Sequence, residues 1–189
     1  MLLILVTGMP GSGKSVVSSV AREKGLKVYV MGDVVREEAR RRGLPLEDKF
    51  LGKIALELRE KEGMDAVAKR LFRKIISEND EKSVVVVEGL RSLEEYDYFR
   101  RVTDTHLIAV HASPETRFKR LKARGRDDDP HSREEFDARD RRELKMGLGS
   151  VIALSQTVLI NEDIGLHCFR ETASRVLDAI IKGWMRSAG

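Results

Sequence analysis

Short runs of aliphatic residues recur along the 189-residue chain, and longer stretches with helical spacing of apolar positions separate them. Several runs are continuously apolar, which is typical of strands covered on both faces of a parallel sheet. Alternation of strands with helices indicates an α/β fold, so we expect a three-layer α/β/α arrangement around a five-stranded parallel sheet. The five strands are predicted at Leu2–Thr7, Lys27–Val30, Ser83–Val87, Leu107–His111 and Thr157–Ile160.

The stretches between the strands predict helices, and two of their starts carry capping signals. Ser113-Pro114 offers an N-cap followed by proline, and Ser132-x-x-Glu135 fits a capping box. We expect one domain, 1–189, in which helical segments at about 33–80 and about 125–150 interrupt the alternation. The second segment is called the lid below. The predicted helices are Lys14–Lys24, Asp33–Arg42, Leu46–Glu62, Asp65–Glu78, Leu93–Arg101, Pro114–Arg124, Arg133–Lys145 and Leu166–Lys182.

The composition is that of a globular protein that handles small polyanions. Apolar residues make up 41% of the chain, which is enough for one core, and the net charge is +4. A modest basic excess suits phosphate ligands. Because both signs are interspersed and no basic tail or aromatic platform occurs, we do not expect nucleic acid as a partner.

Cysteine content and hydropathy bear on the cellular compartment. Cys168 is the only cysteine, so no disulfide within the chain is expected; we expect a small buried side chain in the last helix. No apolar run approaches the length of a membrane span, and the apolar N-terminus lacks the basic start of a signal peptide. We therefore expect a cytoplasmic protein without a membrane partner, and the sequence leaves its oligomeric state open.

The strongest chemical signal is the segment Gly-Met-Pro-Gly-Ser-Gly-Lys-Ser at residues 8–15, which fits the phosphate-binding P-loop G-x-x-x-x-G-K-[ST]. A predicted strand precedes it and a predicted helix follows it, as the motif requires. Its glycines let successive N–H groups point inward, and the helix adds the positive end of its dipole. We expect ATP to bind here, with Lys14 on the β- and γ-phosphates and Ser15 on Mg²⁺. The expected nucleotide-binding residues are Gly8, Pro10, Gly11, Ser12, Gly13, Lys14, Ser15 and Val16.

Two further strand ends carry candidate chemistry. Asp33 and Arg36 follow the second predicted strand; Asp33 can cap the next helix, and Arg36, one turn on, can grip a second phosphate or lie in solvent. Glu88 ends the run Val84–Val87 in a Walker-B-like arrangement, which predicts that it orients Mg²⁺. Arg91 on the following loop is a candidate ligand of the phosphate acceptor.

The stretch from Arg117 to Arg142 is dense in arginine. Phosphoryl transfer requires cations around the transferred group and a closing segment that excludes water, and a lid rich in arginine meets both requirements. Pairing with neighbouring acidic residues on a solvated helix face is the alternative, and we expect it for most of these arginines. An acidic turn at 127–129 is expected to be solvated. The candidates for the transferred phosphoryl group are Arg120, Arg124, Arg126 and Arg139.

Taken together, these motifs resemble the nucleoside-monophosphate kinase group of P-loop proteins. Residues 31–36, Met-Gly-Asp-Val-Val-Arg, resemble the monophosphate site of adenylate kinases, and Glu88-Gly89-Leu90-Arg91 resembles their Asp-Gly-Phe-Pro-Arg stretch without its proline. Arg120 and Arg124 resemble the start of the adenylate kinase lid. Val158–Asn161 resembles the strand-plus-Asn ending of dephospho-CoA kinases, which implies that Asn161 contacts the donor nucleotide. Most of the chain is similar to archaeal P-loop proteins related to both families.

These observations predict an ATP- and Mg²⁺-dependent phosphotransferase with a nucleotide-type acceptor, either a nucleoside monophosphate or a dephospho-CoA-like molecule. An NTP-hydrolysing regulatory protein without an acceptor is the main alternative. A switch GTPase would need Asn-Lys-x-Asp to read guanine, and Asn161-Glu162-Asp163 lacks the lysine. A nucleic-acid-binding module that uses ATP as a switch would bind with a steep salt dependence. The sequence does not identify the acceptor.

Overall fold

Five parallel strands form one sheet at the centre of the fold. The computed structural model describes residues 1–125 and 129–187, and only the backbone of residues 48 and 49. The strands lie in the order β2-β3-β1-β4-β5, and every neighbouring pair is parallel, which confirms the predicted fold class. They are β1 (Leu2–Thr7), β2 (Lys27–Val30), β3 (Val84–Glu88), β4 (Asp104–His111) and β5 (Thr157–Ile160).

Helices fill the connections between the strands over the described part of the chain. They are α1 (Lys14–Glu23), α2 (Met31–Arg41), α3 (Asp48–Glu62), α4 (Ala66–Glu78), α5 (Leu93–Val102), α6 (Pro114–Arg124), α7 (Arg133–Lys145), α8 (Leu148–Ala153) and α9 (Leu166–Ser187). The sequence pattern did not predict α8, because a helix of 6 residues is too short to show helical periodicity. It begins after Gly147, whose φ of 97° turns the chain out of α7.

The sheet separates two hydrophobic cores because successive side chains of a strand point to opposite faces. Leu3 and Leu5 of β1 pack on one face with apolar residues of α2, α3, α4, α5 and α8. Leu2, Ile4 and Val6 pack on the other face with residues of α1 and α9. This burial on both faces accounts for the continuously apolar sequence of β1, and it makes the architecture three-layered.

The strand register brings the carboxyl ends of the central strands to one edge. Val6 of β1 is level with Glu88 of β3, which in turn is level with Val30 of β2. Consequently the loop after β1, the start of α2 and the loop after β3 are neighbours. Ligands of open α/β sheets bind at this edge, and Glu88 and the glycine-rich loop after β1 lie there.

Two local predictions are wrong. Helix α2 begins at Met31, directly after β2, so Asp33 lies inside the first turn and does not cap the helix; no side-chain cap is present. A carboxylate is still favourable at this position, because the first turn lies at the positive end of the helix dipole. Cys168 is exposed, because it lies on the outer face of α9 next to the buried Phe169.

The predicted caps of α6 and α7 are confirmed. Ser113 Oγ accepts from the Thr116 N–H, and Ser132 Oγ accepts from the Glu135 N–H. Within the described ranges, none of the helices combines the length and the apolar character that crossing a lipid bilayer would require.

Candidate active site

The loop between β1 and α1 has a backbone that only glycine adopts readily. Gly8, Gly11 and Gly13 have φ of 143°, 81° and 109°. Space is equally restrictive, since a Cβ on Gly8 would lie 2.3 Å from the Val110 carbonyl oxygen and one on Gly13 would lie 2.2 Å from Asn161 Nδ2. The structure therefore explains why glycine is required at these positions: the loop is a tight turn that packs directly against β4 and Asn161.

Lys14, the first residue of α1, folds back over this loop. Its Nζ donates to the carbonyl oxygens of Gly8 at 2.7 Å and Met9 at 3.1 Å. Burial and, to a smaller extent, the nearby Arg91 guanidinium lower the pKa of Lys14 from 10.5 to about 8, although the carboxylates of Glu88 and Glu143 act in the opposite direction. The lysine is thus a half-buried cation among charged groups from three other parts of the fold.

Glu88 ends β3 beside α1. Its Oε2 accepts a hydrogen bond from Ser18 Oγ at 2.5 Å. Ser15 precedes Ser18 by three residues and therefore lies on the same face of α1, which faces Glu88. A hydroxyl and a carboxylate are hard oxygen ligands, the kind that Mg²⁺ prefers, and Mg²⁺ commonly retains several waters beside one or two protein ligands. Across residues 1–125 and 129–187, no cluster of three or more His, Cys, Asp or Glu side chains could hold a metal.

The loop after β3 is fixed in place by side-chain contacts at both ends. Thr7 Oγ1 donates to the Leu90 carbonyl at 2.9 Å, which ties this loop to the end of β1. The Arg91 N–H donates to Glu95 Oε2 at 3.2 Å. Burial raises the pKa of Glu95, and Arg59, at 3.1 Å from Oε1, counteracts this effect. The Arg91 guanidinium donates in turn to Glu143 Oε1 of α7 at 3.0 Å.

Arg117 joins the lid to the glycine loop. Its guanidinium donates to Asp140 Oδ1 at 2.8 Å and Oδ2 at 2.5 Å, and to the Pro10 carbonyl at 3.2 Å. The guanidinium also lies 5.0 Å from the centre of the Phe136 ring. Arg117 is only 3% exposed, so this member of the arginine-rich stretch is an interior residue that positions α7.

Arg120 and Asn161 contact the glycine loop through the Ser12 carbonyl. Asn161 Nδ2 donates to this oxygen at 2.9 Å, and Arg120 donates to the Asn161 carbonyl at 3.0 Å. Arg120 also lies 3.5 Å from the Ser12 carbonyl. The two side chains thus stabilise the loop conformation between β1 and α1. Ser12 Oγ itself is buried, and no hydrogen-bond partner for it occurs among the described residues.

Two further candidate arginines, Arg124 of α6 and Arg139 of α7, converge on Asp129. Arg124 binds both carboxylate oxygens of Asp129, and Arg139 Nη1 lies 3.8 Å from Oδ1. Asp129 is 5% exposed, so the expectation of a solvated acidic turn is wrong at this residue. Arg139 also contributes to the electrostatic environment of Lys14. Arg126 lies outside the described residues, as do residues 127 and 128.

Asp33 and Arg36 pair with each other at 2.5 Å on the outer part of α2, with side chains 52% and 39% exposed. Within the described residues, neither forms a hydrogen bond with the glycine loop.

Val16 lies one residue beyond Ser15 and is half-buried against the core that α1 and α9 share. Glu88, Arg91 and Arg139 thus all act on the charge of Lys14, whereas among the described residues Asp33 and Arg36 pair mainly with each other.

Sequence reasoning missed several residues that build the site. The helix that contains Glu143 has several other acidic residues, and the helix that contains Ser18 has other serines. The sequence pattern therefore does not distinguish these two residues from their neighbours. In the sequence, Glu162 stands out only as the residue that takes the place of lysine in a guanine-reading motif. Its carboxylate accepts hydrogen bonds from the Ser113 N–H at 2.6 Å, from Ser113 Oγ at 2.8 Å and from Thr116 Oγ1. These bonds lower the pKa of Glu162 to about 2 and connect the start of α6 to the segment after β5.

Comparison with known proteins places the chain among P-loop proteins. A family model described as an AAA domain matches residues 4–142. A UPF0200 protein from Hyperthermus butylicus is 52% identical over 179 residues, which cover 95% of each chain.

Solved structures share the fold at low sequence identity. TT1252 from Thermus thermophilus superposes with a TM-score of 0.69 at 24% identity, covering 96% of this chain and 97% of the other. A gluconokinase from Sinorhizobium meliloti gives 0.57 at 17% identity, covering 98% and 97%. A shikimate kinase from Bacteroides thetaiotaomicron gives 0.59 at 15% identity, covering 94% and 98%. The likeness to kinases is one of fold, and the closer relation to adenylate kinase or dephospho-CoA kinase stays a prediction.

Proposed function

Because the chain belongs to the UPF0200 family and residues 4–142 match an AAA domain, we propose that it is an ATP- and Mg²⁺-dependent phosphotransferase. Its acceptor is a small, nucleotide-type molecule, either a nucleoside monophosphate or a dephospho-CoA-like alcohol. The kinase folds of the gluconokinase and the shikimate kinase support transfer to a small molecule. One domain carries the whole activity, with α2–α4 on the acceptor side and the lid around α7.

The observation that carries this proposal is the set of charges around Lys14. Glu88 of β3, Arg91 of the following loop, and Arg139 and Glu143 of α7 all act electrostatically on its ammonium group. Phosphoryl transfer depends on positioning and on cations around the transferred group. A glycine loop with a lysine would suffice to bind a nucleotide, whereas the convergence of a carboxylate and two arginines from separate elements suits catalysis of transfer.

The roles of the donor site follow from this arrangement. The loop residues Gly8 to Gly13 surround the donor phosphates and bind them through their N–H groups, except for Pro10, which has no N–H and only shapes the loop. Val16 and Asn161 lie at the border of this donor site. Lys14 exchanges the Gly8 and Met9 carbonyls for phosphate oxygens, which are the stronger, charge-assisted acceptors. Ser15 and Glu88 would hold Mg²⁺, and the ion, when bound, neutralises charge on the phosphate oxygens.

The acceptor site and the lid complete the proposal. Asp33, Arg36 and Arg91 bind or orient the acceptor, and the exposed Arg36 guanidinium is available for bidentate contact with an anionic group. Arg120, Arg124, Arg126 and Arg139 are the candidates that neutralise the transferred phosphoryl group. Arg139 is a largely buried side chain on α7 that also acts on the charge of Lys14, which supports its place among these candidates.

A screen for the acceptor tests this function. Thermal unfolding would be followed with a non-hydrolysable ATP analogue and Mg²⁺, with and without each candidate acceptor, since a ligand of the folded state raises the midpoint by mass action. Hits would be assayed for ADP and phosphorylated product in equal amounts. ATP consumption that no acceptor accelerates would favour the regulatory NTPase instead.

A further inference from the structure

Glu143 is a buried carboxylate, and only one of its two oxygens has a hydrogen-bond partner among the described residues. The side chain is 8% exposed, and its Oε1 accepts from Arg91 Nη1 at 3.0 Å. Its Oε2 is buried and has no hydrogen-bond partner among the described residues. A buried carboxylate oxygen without a partner is energetically unfavourable, so one that lies near the glycine loop is a candidate for binding a ligand.

The position of Glu143 relative to Lys14 is determined on both sides. On one side, Thr7 holds the Leu90 carbonyl and Glu95 holds the Arg91 N–H, which fixes Arg91 and with it Glu143 Oε1. On the other side, the buried pair of Arg117 with Asp140, three residues before Glu143, holds the same face of α7 against the glycine loop. Glu143 is close enough to act on the charge of Lys14.

The chemistry of a free carboxylate oxygen discriminates between acceptors. A phosphate acceptor is an anion with oxygens that only accept hydrogen bonds near neutral pH, so it would be repelled by Oε2 in this enclosed setting. An alcohol carries an O–H donor, which satisfies Oε2 and loses its proton on phosphorylation. Asp33, the other candidate carboxylate, is more than half exposed and already paired with Arg36.

We infer that Glu143 Oε2 binds the hydroxyl group of an alcohol acceptor and takes up its proton. The inference rests on the proposed phosphotransferase function and narrows its acceptor to an alcohol, which excludes a nucleoside monophosphate phosphorylated on its phosphate. The acceptor O–H bond breaks, its oxygen forms a bond to the γ-phosphorus of ATP, and the bond from that phosphorus to the β-γ bridging oxygen breaks. ADP leaves, and the proton passes from Glu143 to solvent.

The experiment compares Glu143→Gln with Glu134→Gln, which neutralises an exposed glutamate of the same helix. Glutamine preserves the shape of Glu143 and the acceptor for Arg91 but cannot take up a proton. Basal ATP hydrolysis is measured first, because water can occupy the place of the hydroxyl whatever the acceptor is. Transfer is then measured by ³¹P NMR with dephospho-CoA, gluconate and shikimate as alcohols and with AMP, CMP, GMP and UMP as phosphates.

Glu143→Gln should lower kcat for hydrolysis, and for transfer to any alcohol that serves, by about 10²-fold or more, which is the usual contribution of a general base. The KM for ATP and the thermal midpoint should stay near those of the wild type, and Glu134→Gln should match the wild type throughout. Glu143→Asp, which keeps a carboxylate, should retain more activity than Glu143→Gln even if the latter is unstable.

Two results would overturn the role of Glu143 and leave the phosphotransferase proposal intact. One is a wild-type rate of hydrolysis in Glu143→Gln together with a strong loss in Lys14→Ala. The other is formation of a nucleoside diphosphate from a monophosphate by the wild type. Failure of Lys14→Ala to reduce turnover would instead overturn the proposed function itself.

Discussion

Arg117 of α6 and Asp140 of α7 form a two-bond ion pair, at 2.8 Å and 2.5 Å, that holds the lid helix against the glycine loop. The Arg117 side chain is 4% exposed, and it donates a further hydrogen bond to the Pro10 carbonyl of the loop. The position of Arg139 and Glu143 relative to Lys14 therefore depends on this pair, although neither of its members is among the residues proposed to contact the phosphates.

Asp140→Asn should destabilise the protein and slow the reaction together. Removing one charge from a buried pair leaves the other uncompensated, which typically costs about 3–5 kcal/mol of unfolding free energy. Denaturant unfolding measures this loss, and turnover measured below the unfolding transition reports the displacement of α7.

Asp137→Asn is the matched control for this change, because Asp137 forms a pair with Arg133 on the same helix with side chains 46% and 43% exposed. Exposed pairs contribute at most about 1 kcal/mol. Equal losses in Asp140→Asn and Asp137→Asn would contradict the structural role assigned to the Arg117–Asp140 pair.

Glu162 should make folding stability depend on acid pH. Hydrogen bonds from Thr116 and Ser113 lower its pKa from 4.5 to about 2 in the folded state, and Arg120 adds a smaller electrostatic effect. A carboxyl with a lowered folded pKa stabilises the fold above its unfolded pKa and loses that contribution as pH falls through the folded pKa. The contribution of Glu162 is thus lost between about pH 4.5 and about pH 2.

Unfolding free energies measured over this range in Glu162→Gln should fall less steeply with acid than those of the wild type. Thr116→Val, which removes one of the donors, should give an intermediate slope. Parallel curves for wild type and Glu162→Gln would show that these hydrogen bonds do not shift the titration.

Arg36→Ala should separate acceptor binding from ATP binding. Arg36 is proposed to contact only the acceptor, so its loss should raise the acceptor KM and leave the affinity for ATP nearly unchanged. A hydrogen bond to a charged group contributes about 1.5–3 kcal/mol, which corresponds to a roughly 10- to 150-fold increase in KM. Arg40→Ala, an exposed arginine one turn further along α2, serves as the control. An unchanged acceptor KM in Arg36→Ala would remove this residue from the acceptor site.

Glu88→Gln should weaken the dependence on Mg²⁺. The substitution keeps a hydrogen-bond acceptor for Ser18 and removes the negative charge proposed to support the ion. Turnover should fall by about 10²–10³-fold, the usual loss for one preorganised electrostatic group, with a modest change in nucleotide affinity. Titration of activity with Mg²⁺ checks this directly. An Mg²⁺ titration identical to that of the wild type would leave Glu88 with a structural role at the end of β3.

Patterns that are local in sequence predicted the fold well. Continuous apolar runs and capping residues such as Ser113 and Ser132 gave strands and helices within a few residues of those observed. The residues 104–106 extend β4 beyond its prediction, because pairing with β1 includes polar residues that carry no hydrophobic signal. The prediction that Asp33 caps the helix failed because aspartate is favoured both at the N-cap and in the first turn of a helix. These places are only a few residues apart, so the sequence does not tell them apart.

The candidate site was predicted where a motif concentrates it in one segment, and missed where separate elements meet. The spacing of the glycines, the lysine and the serine within residues 8–15 is enough to predict the glycine-rich loop. Nothing in the sequence distinguishes Arg117, which is buried, from the exposed Arg133 on the neighbouring helix. Glu143 likewise becomes distinctive only when the fold brings it to Arg91, 52 residues away.

Lys14→Ala gives the most direct test of the central claim, that this loop binds the phosphates of ATP for transfer. ATP binding and ADP formation would be measured for the variant alongside Lys119→Ala, which removes a lysine that is 73% exposed on α6. We predict that Lys14→Ala retains its fold and loses about 10²–10³-fold or more in turnover, while Lys119→Ala behaves as the wild type. Turnover by Lys14→Ala at the wild-type rate would contradict the account.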